Sequence, residues 1–207
     1  MFHVKPGSPE IGHVSREVQE RLEAYVTLLL HWQRTINLIS PLDIDAIWRR
    51  HVLDCLQLSA LIPRATSRAI DLGSGAGLPG LVLAIATGLY FDLVESNQRK
   101  AAFLREAIRL TRAPATVHAT RIESAKLGAA SLVTARALAP LTTLLSWAAP
   151  LLATGGICLF PKGRRVDDEL TIAATQWNMR VEKTPSRTDP AATILLISEI
   201  SPVQPKP

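Results

Sequence analysis

Hydrophobic and polar positions alternate along this chain in two different rhythms. From Ser15 to Ser40 (SREVQERLEAYVTLLLHWQRTINLIS) apolar side chains recur at Val18, Leu22, Tyr25, Val26, Leu29 and Trp32. That spacing puts them on one face of a helix, with Ser15, Glu17 and Glu20 marking its start. A second helical stretch, Pro41–Pro63, is predicted with Asp43 as cap. Its apolar face holds Ile47, Leu53 or Leu56, and Leu58, and Pro63 ends it. Residues 1–14, with two prolines and two glycines, read as a flexible leader, and 15–63 as a helical extension.

The rhythm then shortens. Apolar runs at Arg68–Leu72, Tyr90–Glu95, Thr116–Ala119, Leu132–Ala135, Ile157–Phe160, Arg180–Lys183 and Thr193–Glu199 predict seven strands. Helices fit between them at Leu78–Thr87, Gln98–Arg112, Pro140–Leu152 and Asp167–Gln176. Such alternation defines an α/β layer structure with a mostly parallel sheet. Only TPSRTDPAA separates the last two strands, too little for a crossover helix, so that pair is expected to be antiparallel. The α/β unit is expected over 64–200 and a tail over 201–207.

Composition changes this picture little. Hydrophobic residues make up 47% of the 207, enough for a substantial core. The formal net charge of +5 favours acidic partners, nucleic acid foremost, although solubility alone also explains it. Cys55 and Cys158 lack metal-type spacing and read as buried, reduced thiols, which fits a cytoplasmic protein. No metal site is expected. The N-terminal segment has no basic start followed by an apolar core, and the most apolar stretch, Leu78–Val94, is broken by Pro79, Gly80, Gly88 and Asp92. Neither a secretory signal nor a membrane span is expected.

The candidate chemistry lies in AIDLGSGAGLPGLVLAI, Ala69–Ile85. Gly75 and Gly80 have the spacing of a phosphate-binding loop, but Leu81 and Val82 follow where lysine and a hydroxyl residue are needed. Gly75, Gly77 and Gly80 match a dinucleotide fingerprint, with Glu95 about where the ribose acid belongs; two residues too many separate them from the strand. A third reading uses Asp71, Gly73, Gly75 and Gly77 together. It is the first motif of class I methyltransferases, whose cofactor S-adenosylmethionine has an ammonium and a sulfonium but no pyrophosphate. Glycines allow close backbone approach, and acids at strand ends suit the positive charges and the ribose hydroxyls. The plainer alternative for Asp71 is a cap on the following helix.

Longer segments resemble one family. DLGSGAGLPG, WQRTINLIS (Trp32–Ser40), RHVLDC (Arg50–Cys55), QRKAAFLRE (Gln98–Glu106), TRIES (Thr120–Ser124), VTARAL (Val133–Leu138) and FPKG (Phe160–Gly163) resemble, in order and spacing, the bacterial ribosomal RNA guanine-N7 methyltransferases historically called glucose-inhibited division protein B. Gln33, Ile39–Ser40 and Cys55 depart from that family's Asn, Thr and Ser. The resemblance implies a class I Rossmann-like fold and N7 methylation of a guanine in small-subunit (16S) ribosomal RNA by a monomer. It implies cofactor contacts from Gly73, Gly75, Leu78, Glu95, Ile122, Glu123 and Arg136. A methyltransferase of small molecules or proteins, a nicotinamide-dependent oxidoreductase and a non-catalytic RNA-binding module are the rivals.

Arg136 closes an apolar strand at the sheet's carboxyl end, and with His51 it is the candidate for positioning the substrate. Arg50 and Asp54, four apart, could form a helix-surface ion pair, or Arg50 and His51 could face the substrate. Lys162, Arg164 and Arg165 are candidate RNA contacts with them. Arg105, Arg109 and Arg112 form a stripe opposite Phe103, Ala107 and Leu110, more in keeping with a solvated helix face. Trp32 and Trp48 read as core residues rather than base-stacking platforms.

Overall fold

A computed structural model describes Val14–Gln204; the leader, apart from Val14, and the last three residues of the tail lie outside the described residues. Helix α1 spans Arg16–Gln33, with the hydroxyl of Ser15 accepting from the Val18 N–H. It stops seven residues before Ser40 because Gln33 folds back on its own chain. Its Oε1 accepts from the N–H groups of Leu38 and Ile39, and its Nε2 donates to the Ile39 carbonyl. The amide that replaces the family's asparagine is therefore a loop-former.

The second helical stretch is broken. A 3-10 turn, Pro41–Asp43, is capped by Ser40 rather than Asp43. One π turn, Trp48–Leu53, runs into a short α2, Asp54–Leu56, and a 3-10 turn, Gln57–Leu61. Ile47, Val52, Cys55, Leu56 and Leu58 are its buried apolar residues; Leu53 is not fully covered.

Strands β1 (Arg68–Leu72), β2 (Tyr90–Val94), β3 (Ala115–His118), β4 (Ala130–Ala135), β5 (Leu152–Lys162), β6 (Trp177–Pro185) and β7 (Thr193–Pro202) form one sheet in the order β3-β2-β1-β4-β5-β7-β6. The first five are parallel; β7 lies antiparallel between β5 and β6. The reversed last strand is the one expected from the short connection. It reaches Pro202, so the predicted tail begins inside the sheet. The boundary between α5 and β5 also shifts: α5 is Leu141–Ala148, a 3-10 turn follows, and β5 starts at Leu152. The other helices are α3 (Gly80–Thr87), α4 (Gln98–Thr111) and α6 (Val166–Ala173). Helix α3 starts two residues later than predicted, since the glycine turn extends to Pro79.

Strand alternation sorts the core into two layers. Ala69, Phe91, Leu93, Leu132 and Leu159 face α3, α4 and the N-terminal helices; Ile70, Leu72, Val94, Val133 and Phe160 face α5 and α6. Trp32 joins the first layer, its ring edge-on to Phe103 and its Nε1 donating to Glu106. Trp48 packs on the same cluster. Leu110, expected inside, is 45% exposed; Ala107 and Thr111 carry the buried face of α4 at this turn. Cys55 and Cys158 are free and buried, and burial pushes both thiols well above their ordinary range. Among the described residues no helix is long and apolar enough to cross a membrane.

Candidate functional site

The register pairs Asp71 with Thr134 across β1 and β4. Both side chains point to the α3 layer, and the Thr134 hydroxyl donates to Asp71 Oδ1 at 2.6 Å. The other oxygen lies against Gly80 at the first turn of α3, where an added Cβ would come within 2.8 Å of it. Asp71 is fully buried, and burial pushes its pKa up to about 6 against the pull of the Thr134 bond and the Arg136 charge. Among the described residues Oδ2 has no hydrogen-bond partner, and α3 has no side-chain cap bond at its start, so the acid lies beneath the turn with one oxygen unpaired. Thr134→Val removes the hydroxyl that donates to Oδ1. The expected loss is about 1–3 kcal/mol at pH 8 and less at pH 5, where a protonated Asp71 needs the donor less. Chemical denaturation at the two pH values measures this.

Gly73, Gly75 and Gly77 all adopt positive φ, at 62°, 54° and 88°. The turn is pinned from below by Tyr25, whose hydroxyl donates to the Ala76 carbonyl at 2.7 Å. A Cβ on Gly73 would strike Leu138, and one on Gly77 would strike Leu81. At Gly75 it would meet only the Gly73 carbonyl, at 3.7 Å, so this is the open side of the turn. Leu78 is nearly buried behind it. Glu95, 8% exposed at the end of β2, accepts the Gly75 N–H on Oε2 at 2.8 Å and the Asn97 N–H on Oε1 at 2.7 Å. A carboxylate has about four acceptor sites, so each oxygen keeps one for a vicinal diol. Ile122 and Glu123 form a short 3-10 turn beyond β3, Ile122 half-buried and Glu123 exposed.

The alternation that turns Thr134 toward the N-terminal layer does the same to Arg136. Its Nη1 donates to Asp54 Oδ2 (3.0 Å) and to the Arg50 carbonyl (3.2 Å), and its Nη2 donates to His51 Nδ1 (2.8 Å). Sequence spacing suggested an Arg50–Asp54 pair, which is not formed: Arg50 binds Asp43 at 3.0 Å and Asp54 binds Arg136. Asp54 also accepts from Thr188 and Gln57, and Gln57 bonds Ser186 and the Arg187 N–H. These ties fasten the β6–β7 turn, Ser186–Ala192, to the N-terminal helices. Neither Asp43, Asp54, Gln57 nor that turn was picked out as functional from the sequence.

Because an arginine can only donate, His51 Nδ1 is the acceptor and the ring proton sits on Nε2, 3.5 Å from Asp43 Oδ2. Burial, reinforced by Arg136, lowers the His51 pKa to about 4. Between pH 6.5 and 4 the unfolded chain gains a proton here that the folded chain refuses, so stability falls as pH falls, by about 1.4 kcal/mol per unit. Asp71, raised to about 6, takes up its proton in the folded state and acts in the opposite direction. The two largely offset each other in the parent protein. In His51→Gln the Asp71 contribution stands alone, and the variant should gain about 3 kcal/mol relative to the parent between pH 6.5 and 4. Denaturation midpoints across that range test it; a constant difference would refute the lowered pKa.

Beside Arg136 opens a cleft of about 860 Å³ at the carboxyl ends of β4 and β5, walled by Leu138–Pro140, Lys162–Gly163, α6 and the β6–β7 turn. Lys162 is largely withdrawn from the surface. Its side chain is 9% exposed, with the ammonium bound to Glu169 at 2.6 Å and to the Ala139 carbonyl at 3.2 Å. It is an internal brace between β5 and α6, because the strand end turns it inward. Arg164 and Arg165 are exposed, as is Arg50.

A seven-stranded sheet with a reversed strand inside its last pair, a glycine turn after β1 and an acid closing β2 define a class I S-adenosylmethionine-dependent methyltransferase. Solved structures share the fold: an N-methyltransferase, NodS, from Bradyrhizobium japonicum with S-adenosyl-L-homocysteine bound superposes with TM-score 0.57 at 15% identity, over 89% of this chain and 98% of that one. TYW2 of M. jannaschii in complex with AdoMet gives 0.58 at 13%, over 82% and 80%. The chain belongs to the rRNA small subunit methyltransferase G family, whose model matches residues 18–191. Proteins named ribosomal RNA small subunit methyltransferase G are similar to it throughout: 53% identical in Granulibacter bethesdensis over 98% of this chain and all of that one, and 56% in Acidiphilium cryptum over 94% and 96%.

Proposed function

We propose that this protein methylates N7 of a guanine in small-subunit ribosomal RNA. Gly73 and Gly75 would hold the methionine end of the cofactor, Glu95 its ribose, and Ile122–Glu123 its adenine. The open face of Gly75 and the spare lone pairs of Glu95 fit that assignment. Bound S-adenosylmethionine supplies an electrophilic methyl group on a sulfonium.

Guanine N7 has an in-plane lone pair and loses no proton before it bonds to carbon, so the chain's task is orientation. Aligning two reactants can supply about 7–11 kcal/mol of barrier reduction. The observation that carries the reading is Arg136. It stands between the glycine turn and the cleft, held by three partners through Nη1 and Nη2. Nε–H and one Nη2–H are left to donate. Guanine is usually read by an arginine bridging O6 and N7; here N7 must face the methyl donor, so the free donors suit O6 alone. His51 and Asp54 position Arg136. The target base must be unstacked to enter the cleft.

The test is transfer of labelled methyl to unmodified small-subunit RNA and to subunits, followed by borohydride and aniline, which cleave at N7-methylguanosine. One cleavage site is the expected result. Label in RNA without cleavage would reject N7, and label in neither substrate would reject ribosomal RNA.

A further inference from the structure

The cleft lining is balanced in charge: Arg136, Lys162 and Arg165 against Asp54, Asp168 and Glu169. Two of these cations are paired with two of these anions, Arg136 with Asp54 and Lys162 with Glu169. Such an interior suits an uncharged heterocycle with hydrogen-bonding edges. Phosphates next to that base must then be met on the rim, where the fixed charges differ.

One rim carries Arg164 and Arg165, between β5 and α6, both exposed. The other is the β6–β7 turn. Arg187 there has its backbone N–H fixed by Gln57 Oε1 at 2.8 Å, while its side chain is exposed. Arg49, also exposed, reaches over from the π turn and donates through Nη2 to the Thr188 carbonyl at 3.3 Å. The turn's own acid, Asp189, folds back onto the Ala191 N–H. Two guanidinium groups from opposite ends of the sequence thus flank one braced turn. A guanidinium fork matches a phosphodiester oxygen pair.

We propose that Arg49 and Arg187 form a phosphate-binding pair on the outer rim, opposite Arg164 and Arg165, so that the RNA backbone is gripped on both sides of the base entering the cleft. This rests on the ribosomal RNA reading and adds to it the surface that does the holding. The arginine stripe of α4 is the competing surface. It recedes from the carboxyl end of the sheet, because α4 leaves β2 there and runs down its flank.

The experiment measures binding of unmodified small-subunit RNA by the full chain across a salt titration, together with methyl-transfer kinetics. The logarithmic salt slope should fall by about one for Arg187→Gln and by about two when Arg49→Gln is added. KM for RNA should rise with kcat held. Arg187→Lys, which keeps the charge, should recover the slope, and that recovery separates phosphate contact from a loosened turn. Arg105→Gln with Arg109→Gln should behave as the parent. An unchanged slope and KM in the rim variants, or a loss confined to the α4 variant, would overturn the assignment while the parent still methylates RNA. If the parent itself neither binds nor methylates the RNA, the ribosomal RNA reading falls and takes this one with it.

Discussion

Arg136→Ala is expected to lower single-turnover methyl transfer by about a hundredfold or more, the size of effect that misplacing a reacting group produces. The side chain lies 15% exposed, in contact with three groups that serve no other cation. Its removal leaves Asp54 Oδ2 and His51 Nδ1 without a donor, which should also cost about 1–3 kcal/mol of stability. Cofactor binding by calorimetry and thermal denaturation separate the two effects: a folded variant that binds cofactor and does not transfer methyl is the predicted phenotype. Arg136→Lys should remain at least about tenfold impaired, since an ammonium cannot span Asp54, His51 and the Arg50 carbonyl together. A lysine variant at the parent rate would mean that charge alone matters at this position and that the clamp does not.

Gly75→Ala should fold and fail to hold cofactor. The new methyl touches nothing closer than 3.7 Å, so the structural cost is the positive φ, about 1–2 kcal/mol. That methyl projects from the open side of the turn, where the ligand must approach the backbone. A fall in S-adenosylmethionine affinity of about tenfold or more, about 1.4 kcal/mol, is expected. Gly77→Ala is the contrasting case. Its methyl would lie 2.8 Å from the Leu81 Cβ and forces α3 away from the turn. The loss there should appear as unfolding. Equal cofactor binding by Gly75→Ala and the parent would move the ligand off this face.

The sheet was legible in the sequence because apolar runs between turn residues are what a doubly covered sheet requires. The nine residues of TPSRTDPAA are too few for a crossover helix, so the reversed β7 was legible as well. The second helical stretch was not. Its spacing is helical, but Asp43 pairs with Arg50 and His51 within the stretch, while Asp54 and His51 are bound to Arg136 across the fold, and such contacts leave no mark in the apolar periodicity. The site divided in the same way. Gly73, Gly75 and Glu95 carry their chemistry in residue type and strand position. Asp71 was legible as a strand-end acid, but its complete burial was not, since strand periodicity does not say how far the following helix covers a residue. The pairing of Lys162 was not legible because its neighbours Arg164 and Arg165 make the run look like a surface cluster, and its partner Glu169 is seven residues away. The turn from Ser186 to Ala192 holds small polar residues without periodicity. Its role rests on Gln57 and Asp54, about 130 residues earlier, and no local pattern encodes that meeting.

The place of β7 has a consequence for biosynthesis. Of the seven strands of this sheet it is made last, yet it lies inside the sheet, hydrogen-bonded along Cys158–Lys162 on one side and along β6 on the other. Until it arrives, β5 presents an open edge and β6 has no place to join. A nascent chain ending before Thr193 is therefore exposed to edge-to-edge association, the hazard that unpaired strands carry. Translation through β7 is the step that closes the sheet, and chains truncated before it should accumulate in the insoluble fraction, while chains that include it should not.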